Sequence, residues 1–164
     1  MKVLLHHSIA VVAFAALQAQ PASTLELIAA PTRALGHSVA TIEKTVRRDP
    51  RTAVLKQSEN TQSPIPNGRL VLDYGGLIIT LRISTYAPTS GLEAVDVADT
   101  AWLTRLGLSV PALRSDVLRT FGTAAQTTAN DLVYEEHGES ASRSVRLTFS
   151  KGRLVRVRWV YSFE

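Results

Sequence analysis

One segment of this chain occurs twice, which favours two copies of one folding unit over any unrelated pair of halves. Leu35-Gly36-His37-Ser38-Val39-Ala40-Thr41-Ile42-Glu43-Lys44-Thr45-Val46 aligns with Leu106-Gly107-Leu108-Ser109-Val110-Pro111-Ala112-Leu113-Arg114-Ser115-Asp116-Val117. Leu, Gly, Ser, Val and the final Val coincide, and Ile42 falls on Leu113. Each copy has a turn glycine, then a serine suited to cap a helix, then apolar residues at helical spacing. In the second copy Ser109 is the expected cap and Pro111 sits in the first turn. Val110, Leu113, Val117, Leu118 and Phe121 make the apolar stripe, and Gly122 ends it. In the first copy Val39, Ile42 and Val46 make the stripe, which stops at Asp49-Pro50 because proline cannot continue a helix.

The repetition runs on into strands. Leu70-Val71-Leu72-Asp73-Tyr74 matches Leu132-Val133-Tyr134-Glu135, each an opening strand. Gly75-Gly76 reads as a two-residue hairpin turn. Leu77, Ile79, Leu81 and Ile83 then alternate with Ile78, Thr80, Arg82 and Ser84 in a strand that runs to Tyr86. In the second copy Val145, Leu147 and Phe149 alternate with Ser144, Arg146 and Thr148, and Ser150-Lys151-Gly152 turns the chain. The last strand, Arg153 to Phe163, sets Val155, Val157, Trp159, Tyr161 and Phe163 against Arg156, Arg158, Val160 and Ser162. Period-two patterning of this kind marks antiparallel sheet with one covered face.

Between helix and sheet of the first copy, Arg51 to Asn67 reads as a surface loop, and Ala87 to Gly91 reads as a hairpin turn. A short helix with Trp102, Leu103 and Leu106 follows a boundary near Asp99. The expected fold is α+β: tandem helix-plus-antiparallel-meander repeats over residues 20–99 and 100–164, helices packed on one face of the sheet.

Gly107, the run Val117-Leu118-Arg119-Thr120-Phe121-Gly122, Tyr134, Phe149, Gly152 and Leu154 together resemble the BamE/SmpA-OmlA family and its relatives with the β-lactamase-inhibitor-protein fold. The match covers the second copy well and the first weakly. It implies helices on one face of an antiparallel sheet, with tandem copies forming a saddle whose open face holds a partner protein. Two departures stand out: Thr123-Ala124 follows Gly122 where the family often has proline, and there is no cysteine to carry the lipid of the outer-membrane members. The resemblance therefore bears on fold more than on function.

Met1-Lys2, the apolar run Ile9 to Leu17 and the small residue Ala19 describe a secretory signal peptide over residues 1–19, cut after Ala19. A buried N-terminal helix is the competing reading, and His6-His7 inside the apolar region favours it. The run is too short to span a membrane, which takes roughly 20 apolar residues, so no integral membrane span is expected. Export places the mature chain in the periplasm or outside the cell. The formal net charge of +4, of which Lys2 supplies one, is too small for a nucleic-acid binder. Envelope proteins and anionic envelope polymers are the expected partners. With no cysteine, disulfides and thiol chemistry are excluded.

No Gly-x-Ser-x-Gly, His-Glu-x-x-His, Gly-x-x-x-x-Gly-Lys-Ser/Thr or Gly-x-Gly-x-x-Gly occurs, so no catalytic residue, metal ligand or cofactor is assigned. His37 reads as a loop residue and His137 as part of a solvated hairpin tip beside Glu135, Glu136 and Glu139. Glu135 and Glu136 are strand neighbours and point to opposite faces; Asp73 has no second acid at useful spacing. Trp159, Tyr161 and Phe163 read as core more readily than as a ligand platform, and Trp102 as a helix anchor. If the apolar set of the last strands is covered, Arg146, Arg156 and Arg158 emerge together on the other face, and Arg82 adds a charge in the first copy. Those four are the candidate binding residues of a non-enzymatic envelope binding protein. A solvated charged face with Glu135 or Glu164 nearby is the plain alternative. The other functional readings are a small envelope enzyme with a pocket between the repeats and a structural or stress-related protein without a specific ligand.

Overall fold

The computed structural model describes residues 23–36, 38–47, 51–56, 68–83, 91–139 and 141–163. The expected signal peptide, His37, the Asp49-Pro50 stop, the Ala87 to Gly91 turn before its last residue, and Glu164 lie outside these. The elements run α1 (Thr24–Leu35), α2 (Val39–Val46), β1 (Arg51–Lys56), β2 (Gly68–Asp73), β3 (Leu77–Ile83), β4 (Gly91–Val97), α3 (Ala101–Arg105), α4 (Arg114–Phe121), β5 (Gln126–Thr127), β6 (Asp131–His137), β7 (Ala141–Ser150) and β8 (Arg153–Phe163). All the strands join one antiparallel sheet in the order β1-β2-β3-β4-β8-β7-β6-β5. The chain is thus an α+β mixture. Among the described residues, buried apolar side chains of β2, β3, β4, β6, β7 and β8 share one core cluster with those of α1, α2, α3 and α4.

The hairpins form where the turn chemistry places them. Gly75 and Gly76 take φ of 72° and 86°, the positive values a two-residue β-turn of this hand requires. The Asp73 carboxylate accepts from the Gly75 N–H at 2.8 Å and steadies the corner. Leu77, Ile79 and Leu81 are fully buried while Ile78 and Arg82 are exposed. Across β7, Val145, Leu147 and Phe149 are buried and Arg146 is exposed. Trp102 is an anchor: its indole N–H donates to the Gly75 carbonyl at 2.9 Å and ties α3 to the β2–β3 corner.

Four elements differ from the sequence expectation. Arg51–Lys56 is a strand, β1, paired with β2 from Arg51↔Asp73 to Lys56↔Gly68, where a loop was expected. Its residues carry no strict alternation, so pairing with β2 decides its conformation. Next, α4 begins at Arg114, and Ser109 does not cap it. The Ala112 carbonyl accepts from the Leu154 N–H at 2.8 Å and the Gly152 carbonyl from the Arg114 N–H at 3.1 Å, which holds Leu113 extended against Arg153. Leu113 and Leu118 consequently remain exposed, and only Val117 and Phe121 of the stripe reach the core from α4. Ser38 does cap α2 as expected, accepting from the Thr41 N–H at 3.2 Å.

Third, Val155 does not join Val157 and Trp159. The β7–β8 register shifts between Thr148 and Phe149, with Thr148↔Arg156 followed by Phe149↔Leu154. Val155 is the extra residue of this bulge, 41% exposed, and Leu154 takes the core position instead.

Finally, α1 precedes the first expected helix. Its start is a capping box: Ser23 Oγ accepts from the Glu26 N–H and Glu26 Oε2 accepts from the Ser23 N–H, at 3.2 and 3.1 Å. Pro31 lies inside it and has no N–H for the carbonyl four residues back, that of Leu27. The Trp159 indole N–H, 0% exposed, donates to that carbonyl at 2.9 Å. Two residues further along β8's buried face, the Tyr161 hydroxyl donates to the Ile28 carbonyl at 3.2 Å. Burial raises the pKa of that phenol, against a smaller lowering by Arg143.

A sheet residue therefore completes the hydrogen bonding of a proline-broken helix, and the two substitutions must be coupled. Replacing Trp159 with Phe in the native chain leaves a buried carbonyl unpaired, at a cost of about 1–3 kcal/mol beyond the packing loss. In Pro31→Ala the alanine N–H supplies the missing bond, so the Trp159→Phe penalty shrinks by about 1 kcal/mol or more. Urea denaturation of the four proteins measures the difference; equal penalties in both backgrounds would contradict the assignment.

Candidate functional site

The residues of the sheet that alternate with the buried set lie on its other face, and their register aligns them in rows. One row crosses seven strands: Asp73, Ile78, Asp96, Arg158, Arg146, Val133 and Gln126, each directly opposite the next. The next row holds Val71, Thr80, Ala94, Val160, Ser144 and Glu135. Arg156 stands one step outside the first row, opposite Thr148, whose own partner is Asp131. Gln126, Asp131, Val133, Glu135, Ser144, Arg146, Thr148, Arg156, Arg158 and Val160 together line a concavity of about 440 Å³.

The structure brings Arg146, Arg156 and Arg158 together on this face. It leaves Arg82 apart. Arg82 lies four residues along β3 from Ile78, the partner of Asp96, which is about 13 Å along a strand. The local ion pair there joins Arg69 to Glu93 at 2.6 Å.

The acid among the three arginines is Asp96, which the strand pattern alone did not single out. It is 9% exposed, the one charged residue in the buried set among the described residues. Directly opposite it stands Arg158, but its carboxylate is gripped from the diagonal position by Arg156. The Arg156 Nε–H donates to Oδ1 at 2.8 Å and a terminal N–H to Oδ2 at 2.5 Å, a two-bond fork. Arg158 Nε stands 4.0 Å from Oδ2, the outer limit of an ion pair. Asp96's hydrogen bonds, and then its charge, raise the pKa of the Arg156 guanidinium further above its ordinary value.

The β6 wall is acidic, and its acids are engaged elsewhere. Asp131 accepts from the Thr148 hydroxyl at 2.7 Å. Glu135 accepts from the Gln126 amide at 2.9 Å and lies 3.3 Å from His137 Nε2. Glu136 instead meets Arg143 at 3.6 Å. His137 is 74% exposed, in keeping with a solvated end of β6.

A second concavity, of about 420 Å³, lies between α1 and the segment 106–110. Leu27, Leu106, Leu108, Val110, Phe121 and Trp159 make its lining largely apolar. Its ionisable lining residues, Glu26 and Arg33, are both engaged within α1: Glu26 in the capping box, Arg33 donating to the Glu26 carbonyl at 3.0 Å. The first concavity is thus the one with an arranged charge pattern. What it can do chemically is hold a discrete anion beside a fixed carboxylate.

Removing the Asp96 charge tests that arrangement. Asp96→Asn should lower stability by about 1 kcal/mol, at the modest end for a charge-assisted bond because the Arg156 side chain is half exposed. The Arg156 Nε–H should also exchange faster with water. Unchanged denaturation and unchanged exchange would mean that Asp96 does not hold Arg156.

No protein-family model matches the chain, and no curated protein or solved structure matches it either.

Proposed function

We propose that this chain is an exported, non-enzymatic binding protein of the bacterial cell envelope, built from two tandem helix-plus-meander repeats over residues 20–99 and 100–164. It docks a protein or anionic partner through the open sheet face. Support for the repeats comes from the element order, two helices then four strands, twice over, and from a strand order that reads outward symmetrically from the β4–β8 seam. The helices then cover one face of the sheet and leave the other for the partner, which is the arrangement the BamE-like and β-lactamase-inhibitor-like resemblance implies. The N-terminal Met1-Lys2, apolar run and Ala19 support export to the periplasm or beyond.

One observation carries the docking reading. Three arginines stand together on the exposed face, and the one carboxylate that pairs with any of them, Asp96, is committed to Arg156, with Arg158 at the 4.0 Å limit. Like charges set directly opposite one another cost stability in the free protein. Arginine is also enriched where partners bind most strongly. The binding centre is therefore Arg146, Arg156 and Arg158, with Arg82 at a separate point of the same face.

A photo-crosslinker placed at Ser144, inside the concavity, and another at Thr45, on the exposed side of α2, test this in envelope extract of the mature protein. Ser144 should yield one adduct at near-stoichiometric level, lost at high salt. The adduct should also disappear when Arg146, Arg156 and Arg158 are replaced by glutamate in a chain that still folds. The same adduct from the folded triple variant, or equal labelling from Thr45, would sink the proposal.

A further inference from the structure

We infer that the concavity seats a single carboxylate side chain of a partner protein between Arg146 and Arg158, from a segment that carries a basic residue two positions away. This rests on the docking proposal and adds to it the chemistry of what docks. Arg146 and Arg158 are direct cross-strand partners, so their Cβ atoms lie about 5 Å apart. Asp96 has both oxygens on Arg156 and only a marginal approach to Arg158. Arg146 has no ion pair or hydrogen bond from its side chain among the described residues. The result is a pair of adjacent guanidinium groups with their neutralising acid already spent, facing a concavity that also presents Ser144. One oxyanion between them can accept N–H donors from both.

The β6 wall decides which anion. Asp131 and Glu135 occupy the positions diagonal to Arg146, about 7–8 Å away across the strands. A second negative charge on the same ligand meets these carboxylates and is repelled; a positive charge there is attracted. Side chains two residues apart on an extended segment are also about 7 Å apart. An acidic-x-basic segment fits both ends of the site. An extended polyanion, whether glycan or anionic membrane surface, fits only one end. Charge complementarity therefore selects a protein segment as the occupant.

The test follows the arginine Nε–H resonances of the folded mature chain at constant ionic strength. Three blocked tripeptides are added: Asp-Ala-Lys, Asp-Ala-Asp and Ala-Ala-Lys. Inorganic phosphate and vesicles containing phosphatidylglycerol serve as the anions that are not peptides. Asp-Ala-Lys should shift Arg146 and Arg158 saturably, and Asp-Ala-Asp should bind about threefold or more weakly despite its extra charge. Ala-Ala-Lys should leave both resonances in place. Ser144→Asp, which puts a carboxylate near the two arginines within the chain itself, should abolish the peptide shifts. Tighter binding of Asp-Ala-Asp, phosphate or vesicles overturns the inference, as does the absence of any saturable shift. If the Ser144 crosslinker still captures its partner in the Arg146→Gln, Arg158→Gln variant, the seat fails and the docking proposal stands. If the native chain gives no adduct at all, the docking proposal itself fails.

Discussion

The hydrogen bond from the Trp159 indole to the Leu27 carbonyl is the contact on which the rest of the structure turns. Pro31 leaves that carbonyl without a partner inside α1, and a buried carbonyl without a donor is costly. Trp159 satisfies it while pairing, through its backbone position, with Val95 across the β4–β8 seam. The same residue thus seats the first helix and joins the first four strands to the last four. Secondary contacts follow from it. The Thr24 hydroxyl donates to the Phe121 carbonyl at 3.0 Å, and the Tyr134 hydroxyl donates to that of Gly122 at 3.1 Å, so the ends of α1 and α4 are tied to one another and to β6. Phe121 and Tyr134 meet edge to face, with ring centroids 6.2 Å apart.

The charged site on the opposite face is a product of the same seam. Asp96 comes from β4, and the arginines come from β7 and β8, fifty or more residues later in the chain. Only the pairing Asp96↔Arg158 brings them together. The first half supplies the carboxylate that fixes Arg156, and the second supplies the guanidinium groups left over. A bulge contributes as well: by absorbing Val155, it lets Leu154 take the core position and keeps Arg156 on the open face, opposite Thr148. Neither half alone holds the arrangement.

Much of this was legible in the sequence, for physical reasons that vary from element to element. The β2–β3 corner was readable because Gly75-Gly76 permits the positive φ values the turn needs. The faces of β3 and β7 were readable because strict alternation separates a buried from an exposed set. The clustering of Arg146, Arg156 and Arg158 was expected from the same alternation. Asp96 was not, because β4 reads Glu93-Ala94-Val95-Asp96-Val97, and a register shift beside Leu81 obscures which face each residue takes. Nothing local in the chain says that β4 will meet β8. Arg82 shares the open face by its period, but only the register shows how far along the sheet it stands. The Ser23-x-x-Glu26 capping pattern is present in the sequence, but Pro31, which normally argues against a helix, masked it, and α1 was not expected. Ser109 looks like a cap as good as Ser38, and backbone pairing of Ala112 and Arg114 with the β8 end overrides it.

Amide hydrogen exchange across the β4–β8 seam tests most directly whether the two halves form one cooperative sheet that holds the charged face rigid. The amides of 94–97 and 157–160 should be protected to the same free energy as those in the middle of β3 and β7, opening only with global unfolding. Seam amides that open at clearly lower free energy than both flanking strands would contradict the account. The halves would then move independently, and Asp96 could not hold Arg156 in place.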